Sequence, residues 1–280
     1  MVGYEPNAII TVLIGYSITM PLAARQLPDH LLSQGVSTFT TRDAQELLNE
    51  SSPDAVRRAL SRLHQHGQVF SPARGFWVVI PPEYRSWGVV PAERFVDEMM
   101  RALGRTYYVA LLSAAALHGA AHQAPQVFQV MCEPSLRDRA VARVRLRFYS
   151  GRHITGAPTE PRTVPMGTLR VATRELTVVD MVALPNESGG YSNVATILGE
   201  FGVLDGASLA ALALPRGRGL TRRVGWLIER FGQCDDLRPL RQAAAPGQGE
   251  PTLLRAGAGR RGHADRAWGM RVNTDIQADL

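Results

Sequence analysis

From Pro21 onward the apolar positions fall into short periodic runs. Leu22, Leu27, Leu31 and Leu32 give a stripe near helical spacing that Gly35 ends. Phe39 follows, then Thr40 or Thr41 as the N-cap of a helix from Arg42 to Leu48 that buries Ala44, Leu47 and Leu48. Ser51, Ser52, Pro53 and Asp54 then supply a cap, an N1 proline and a first-turn acid in order. They open a third helix that runs to His66 and is stopped by Gly67. Val56, Ala59, Leu60 and Leu63 on it face a core, which leaves Arg57, Arg58, Ser61, Arg62 and Gln65 outward. Two apolar runs, Gln68 to Phe70 and Phe76 to Ile80, flank Ser71-Pro72-Ala73-Arg74-Gly75 and read as a hairpin ended by Pro81-Pro82. Three short helices and a hairpin within about sixty residues predict a winged helix-turn-helix, with only Asn49 to Ser52 between its second and third helices. In that geometry the third helix enters the major groove, and Arg74 at the wing tip reaches adjacent backbone or minor groove. A winged helix serving only protein interaction is the other reading.

Beyond a connector over residues 84–91, the pattern predicts a helix over Ala92 to Leu103 and a small-residue helix, buried on most sides, over Tyr107 to Gly119. Gln126 to Cys132 reads as a strand. Ala142 to Phe148 alternates strictly, with Ala142, Val144, Leu146 and Phe148 on one face and Arg143, Arg145 and Arg147 on the other, which predicts a half-buried strand. A strand over Leu169 to Ala172 and helices over 174–184, 193–202, 208–214 and 221–231 follow. Residues 242–265, rich in Ala, Gly and Pro, read as loose before a closing strand over Trp268 to Val272. The predicted fold class is α+β: an N-terminal winged helix-turn-helix over 20–83, a linker over 84–91 and a larger mixed α/β domain over 92–280. Residues 1–19 read as a non-native or disordered extension. The uncharged run from Ala8 to Ala24 is short for a membrane span and lacks a basic signal-peptide start, and Met20 reads as the natural start.

Charge narrows the picture. The chain of 280 residues carries 31 basic groups, all of them arginine, against 25 acids, for a net charge of +6. Without lysine, Schiff-base chemistry and a Walker phosphate loop are excluded. Planar guanidinium groups suit phosphate and guanine, although a GC-rich genome gives the same bias. Most of the excess lies in residues 87–180, including the row Arg143, Arg145 and Arg147. That row suits phosphate contacts or an acidic partner, and equally a solvated strand face. Cys132 and Cys234 form no CxxC pair, which points to a reducing compartment and no structural zinc site.

Candidate chemistry is sparse. His118 and His122 have helical metal spacing, but no third ligand follows at ligand spacing and Gly119 intervenes, so they read as satisfied or surface histidines. Ser113 and Asp180 lack a nucleophile elbow, and Asp235-Asp236 reads as solvated surface. No catalytic residue, metal or cofactor is expected.

The chain resembles the AbiEi-type antitoxins, the antitoxin half of bacterial AbiE toxin–antitoxin pairs. The likeness is carried by LPDHLLSQG, TFTTRDAQELL, SSPDAVRRALSRLHQHGQVFSPARGFWVVIPPEY, VPAERFVDEMM, YYVALLSAAALHGAAHQAPQVFQVM and WGMRVNTDIQADL, the block from Tyr107 to Met131 being the most specific. The resemblance implies a cytoplasmic, non-enzymatic protein without a membrane partner. Its winged helix would repress its own operon by binding inverted repeats in double-stranded promoter DNA. Its C-terminal domain would neutralise a nucleotidyltransferase-like toxin, in many members without a stable complex. On matching positions the resemblance places DNA contacts at Thr41, Arg42, Ser52, Arg57, Arg58, Arg62 and Arg74. A winged-helix regulator with a ligand-sensing second domain is the alternative, and a nucleic-acid enzyme a weaker third.

Overall fold

The computed structural model describes residues 22–50, 52–120, 125–151, 153–164 and 167–278. The readings of residues 1–19, Ser51 and His122 therefore lie outside the described residues. Two compact units emerge. The first comprises the chain up to Tyr107 together with Gln126–Thr155 and Pro161–Arg170. The second comprises Tyr108–Pro125, Gly156–Glu160 and the chain from Val171 onward. Segments that the sequence groups with the C-terminal domain are thus part of the first unit.

The first unit begins with α1 (Leu27–Ser33), β1 (Thr38–Thr40), α2 (Thr41–Leu47), α3 (Pro53–Gln65), β2 (Val69–Ala73) and β3 (Phe76–Val79). The start of α2 is a reciprocal capping box: Thr40 Oγ1 accepts from the Asp43 backbone N–H at 3.2 Å, and Asp43 Oδ2 accepts from the Thr40 N–H at 2.7 Å. Thr40, not Thr41, is the cap, and of the three apolar residues expected inside Ala44 is fully buried while Leu47 and Leu48 pack, partly buried, against the same core. The α3 start follows the sequence closely, with Ser52 Oγ accepting from the Ala55 N–H at 3.4 Å and Pro53 in the first turn. Its Val56, Leu60 and Leu63 join Leu27, Leu31, Phe39, Ala44, Val69 and Val79 in one core. The sheet has the order β1-β3-β2, all antiparallel.

Two local expectations change here. The short strand β1 pairs across β3, nearly forty residues on, and leaves no periodic trace in three residues. The hairpin also extends further than the apolar runs, because β2 carries a bulge between Phe70 and Ala73 where Pro72 costs no ladder bond. The turn shrinks to Arg74-Gly75, and Gly75 supplies the left-handed backbone (φ +77°) it requires.

Then follow α4 (Val96–Ala102), β4 (Thr106–Val109), α5 (Leu111–Leu117), β5 (Phe128–Glu133), β6 (Arg139–Val141), β7 (Val144–Tyr149), β8 (Thr159–Val164) and β9 (Gly167–Ala172). These strands form one sheet of order β6-β7-β5-β4-β9-β8. The single helix expected over Tyr107 to Gly119 is instead strand β4 and then α5. Tyr107, Tyr108 and Val109 have β-preferring side chains, whereas the alanines after Leu111 prefer helix. β5 pairs in parallel with β7 and is buried on both faces from Gln129 to Cys132, as an inner strand should be. β7 keeps the predicted alternation, with Leu146 and Phe148 inside and Arg145 and Arg147 outside. It begins only at Val144, however. Ala142 (φ +48°) and Arg143 form the tight turn from β6, so Arg143 is exposed but not on the strand face.

The second unit is dominated by helices: α6 (Arg174–Ala183), α7 (Gly190–Glu200), α8 (Gly206–Ala213), α9 (Arg218–Phe231) and α10 (Arg238–Ala244), with strands β10 (Val203–Leu204), β11 (Gln233–Cys234), β12 (Thr252–Leu253), β13 (His263–Asp265) and β14 (Met270–Val272). Thr173 caps α6 through the Leu176 N–H. Every residue of α6 from Leu176 to Val182 is buried, the signature of a helix surrounded by others, and α5, α7, α8 and α9 pack against it. The segment 242–265 is ordered, contrary to its composition. It contributes β12 and β13, which flank β14 in a small sheet.

Candidate nucleic-acid interface

The outward face of α3 carries Arg57, Arg58 and Arg62, all exposed. The i, i+4, i+7 apolar stripe fixes this orientation, because rolling the helix to hide any arginine would expose Val56 or Leu60. Arg57 pairs with Asp54 one turn earlier, and Arg42 on α2 pairs with Glu46 at 3.0 Å. Both pairs are solvent-exposed and worth little, so they compete weakly with an anion. Arg58, Arg62 and the hairpin-tip Arg74 have no ion pair or hydrogen bond among the described residues. Thr41 is half-buried, and its hydroxyl accepts from Trp77 Nε1 at 3.0 Å, tying the first turn of α2 to β3. Ser52 is exposed, with its oxygen used as the α3 cap. α2, α3 and the hairpin thus share one core, and Arg42, Arg57, Arg58, Arg62 and Arg74 are each exposed on its surface.

The arginines of the later sheet lie in the same unit, and β6 packs against β2 of the hairpin. Arg145 and Arg147 project from β7, with Arg147 Nε 3.6 Å from Asp138. Gln129 Nε2 donates to the Tyr149 hydroxyl at 3.3 Å across the neighbouring strand. Arg143 stands apart in the β6–β7 turn.

In the second unit, Asp180 and His118 are enclosed and held by polar contacts. Asp180, on the buried helix α6, is fully enclosed and meets Arg216 at 2.5 Å and the Tyr108 hydroxyl, which donates at 3.0 Å. Burial pushes the Asp180 carboxyl up, while Arg216 and Tyr108 pull the other way. Asp180 therefore serves an ion pair and not a histidine. His118 Nε2 lies 2.7 Å from the Ala172 carbonyl and Nδ1 3.4 Å from Glu160, so both ring nitrogens are engaged. Asp235 is exposed, as expected of solvated surface, and accepts from the Gly206 N–H at 2.9 Å, while the partly exposed Asp236 pairs with Arg238 at 2.9 Å.

Arg222, on α9, is 2% exposed and has no acidic partner among the described residues. Its guanidinium donates to the carbonyls of Ala244, Ala245, Gln248, Glu250 and Gly269 and to Thr252 Oγ1, at 2.5 to 3.4 Å. This is what orders the segment that reads as loose. No local pattern marks Arg222, since its acceptors, all but one of them backbone carbonyls, lie 22 to 47 positions further along.

These features define an α+β protein with an arginine-presenting helix in its first unit and, in its second, a helical unit fastened around the buried Arg222 and the Arg216–Asp180 pair. Residues 108–230 match the AbiEi antitoxin C-terminal domain family. This stretch of the chain is therefore similar to the C-terminal domain of the AbiEi antitoxins. Among solved structures, the crystal structure of the RV2827C protein from Mycobacterium tuberculosis is similar in fold. It has a TM-score of 0.65 and 16% identity, over 88% of this chain and 90% of that one. No curated protein matches the chain. Among the described residues no helix is long and apolar enough to cross a membrane.

Proposed function

We propose that the chain is the antitoxin of a toxin–antitoxin pair and represses its own operon through its N-terminal residues, acting in the cytoplasm without catalysis of its own. In this reading α1 to α3 with β1 to β3 are a winged helix-turn-helix. α3 is the recognition helix, Arg74 is at the wing tip, and double-stranded promoter DNA bearing inverted repeats is the ligand. The toxin is a nucleotidyltransferase-like enzyme encoded alongside. The observation that carries the DNA reading is the outer face of α3, where Arg58 and Arg62 are exposed and unpaired on a helix whose opposite face is locked into the core. Arg42 and Arg57, released from their exposed partners, and the hydroxyls of Thr41 and Ser52 would add backbone contacts.

The test is fluorescence anisotropy of the full chain on its own promoter at several salt concentrations. Arg58→Ala with Arg62→Ala should abolish preference for the promoter over unrelated duplex, since a bidentate base contact discriminates by about 1–3 kcal/mol. Toxin neutralisation on coexpression should survive. Sequence-specific binding retained by the double variant would refute the recognition-helix assignment. The packing of β6 against β2 supports a footprint extending onto the later sheet. Arg145→Ala with Arg147→Ala should then lower the salt slope by up to about 2, roughly 0.9 per lost phosphate contact, without changing base preference. An unchanged slope makes that row, with Arg143, a solvated face.

A further inference from the structure

A cleft in the second unit, remote in sequence from α3 and the hairpin, has the chemistry of an anion site. Two adjoining cavities of about 500 and 260 Å3 share Pro185, Asn186, Tyr191 and Arg255 as walls. Arg223 lines the larger cavity, while Ser192, Thr274 and Asp275 line the smaller. Asp275 is the one acid among the lining residues, so the two arginines leave the cleft net positive.

Both arginines are held at the root and free at the head. Arg223 Nε donates to the carbonyls of Leu253 and Leu254 at 3.0 and 3.1 Å, which orients the guanidinium plane. Its two terminal nitrogens have no protein partner among the described residues. Around Arg255, Asn273 accepts from the backbone N–H and donates to the carbonyl, both at 2.9 Å. The Arg255 side chain, rooted there, is exposed and unpaired among the described residues. A guanidinium with its fork vacant and its stem fixed loses little freedom when it grips a phosphate bidentately. Burial pushes the Tyr191 hydroxyl up in spite of the nearby Arg223 charge, so at neutral pH it remains a hydrogen-bond donor. The larger cavity exceeds what a lone phosphate fills. Its remaining wall of Val182, Ala183 and Ala256 to Ala258 is small and mostly apolar, a surface for a flat ring.

We propose that this cleft binds a nucleotide, its phosphates held between Arg223 and Arg255 and its base lying against Tyr191 and the Ala256–Ala258 wall. The site is independent of the DNA-binding face, so the protein has a small-molecule input in its second unit.

The test uses the full chain without DNA and a fluorescent ATP analogue read by anisotropy, with unlabelled ATP and pyrophosphate as competitors. Saturable binding that ATP displaces is expected. Arg255→Ala, a substitution at an exposed side chain without partners, should weaken it by at least about tenfold, the scale of one charge-assisted contact. Arg260→Ala, an exposed arginine outside both cavities, should leave it unchanged. Absence of saturable binding at millimolar nucleotide overturns the proposal, as does equal weakening by both substitutions, which would mean diffuse attraction. Pyrophosphate competing as well as ATP overturns the nucleotide assignment. Promoter binding by Arg255→Ala stays at the wild-type level, so this site and the DNA-binding proposal fail separately.

Discussion

Glu98 offers a direct test of the packing in the first unit. It lies on α4, half-buried, and its Oε2 accepts from the hydroxyl of the buried Thr38 on β1. Burial pushes its carboxyl from the usual 4.5 up to about 7. The folded chain therefore holds a proton between pH 4.5 and 7 that the unfolded chain has released, and rising pH favours unfolding across that window. The stabilisation is complete below about 4.5 and is lost as pH rises through about 7. At about 1.4 kcal/mol per pH unit, the separation bounds the effect near ~3 kcal/mol, with partial exposure reducing it. Glu98→Gln keeps an acceptor for Thr38 and removes the charge. Its melting temperature should equal that of the wild type near pH 4.5 and rise above it by up to about 10 °C at pH 8, taking ~2–4 °C per kcal/mol for a unit of this size. The assay is thermal unfolding by circular dichroism from pH 4.5 to 8.5, plotted as variant minus wild type. A difference that stays flat across the range, or a variant less stable at pH 8, would show that the carboxylate is solvated and the reasoning wrong.

Two further substitutions probe the second unit. Arg222→Lys keeps the charge but offers three protons to six acceptors, and should destabilise the fold by about 3 kcal/mol or more, measured by urea unfolding and by faster cleavage within residues 242–265 in limited proteolysis. Wild-type stability in that variant would mean the carbonyl cage contributes nothing. Gly225→Ala on α9 would place a Cβ against the ring of the fully buried Trp268, and the overpacking should cost about 1–3 kcal/mol with a shift in tryptophan emission. An unshifted melting temperature would show that the ring moves aside freely.

What the sequence made legible was whatever its neighbours in the chain decide. α3 could be read in full because its cap, its proline and its apolar stripe are all local, and the same pattern identified the outward arginines. The alternation in β7 was equally local, and it failed only at Ala142 and Arg143, where a turn continues the period of two by coincidence. The misread stretches depend on distant partners. β1 exists because β3 lies beside it, and Tyr107 to Val109 are a strand because a sheet is there to receive them. The segment 242–265 has a composition that offers no core, yet its backbone carbonyls, invisible to any residue-type pattern, are what Arg222 needs. The cleft of Arg223 and Arg255 was hidden for the same reason, since α9 and the loop carrying Arg255 are brought together only by the fold.

The Arg222 cage also bears on how the second unit opens. Its acceptors come from the end of α10, from the following loop and from the approach to β14, yet all converge on a single guanidinium. Withdrawing one strand of the cage uncovers a charge that every other strand was helping to shield, so the pieces do not come loose one at a time. Amide hydrogen exchange across residues 244–270 should accordingly follow one shared opening event rather than the graded fraying expected of a surface loop. A stretch with the composition of a linker thus behaves as a latch that is either shut or wholly open.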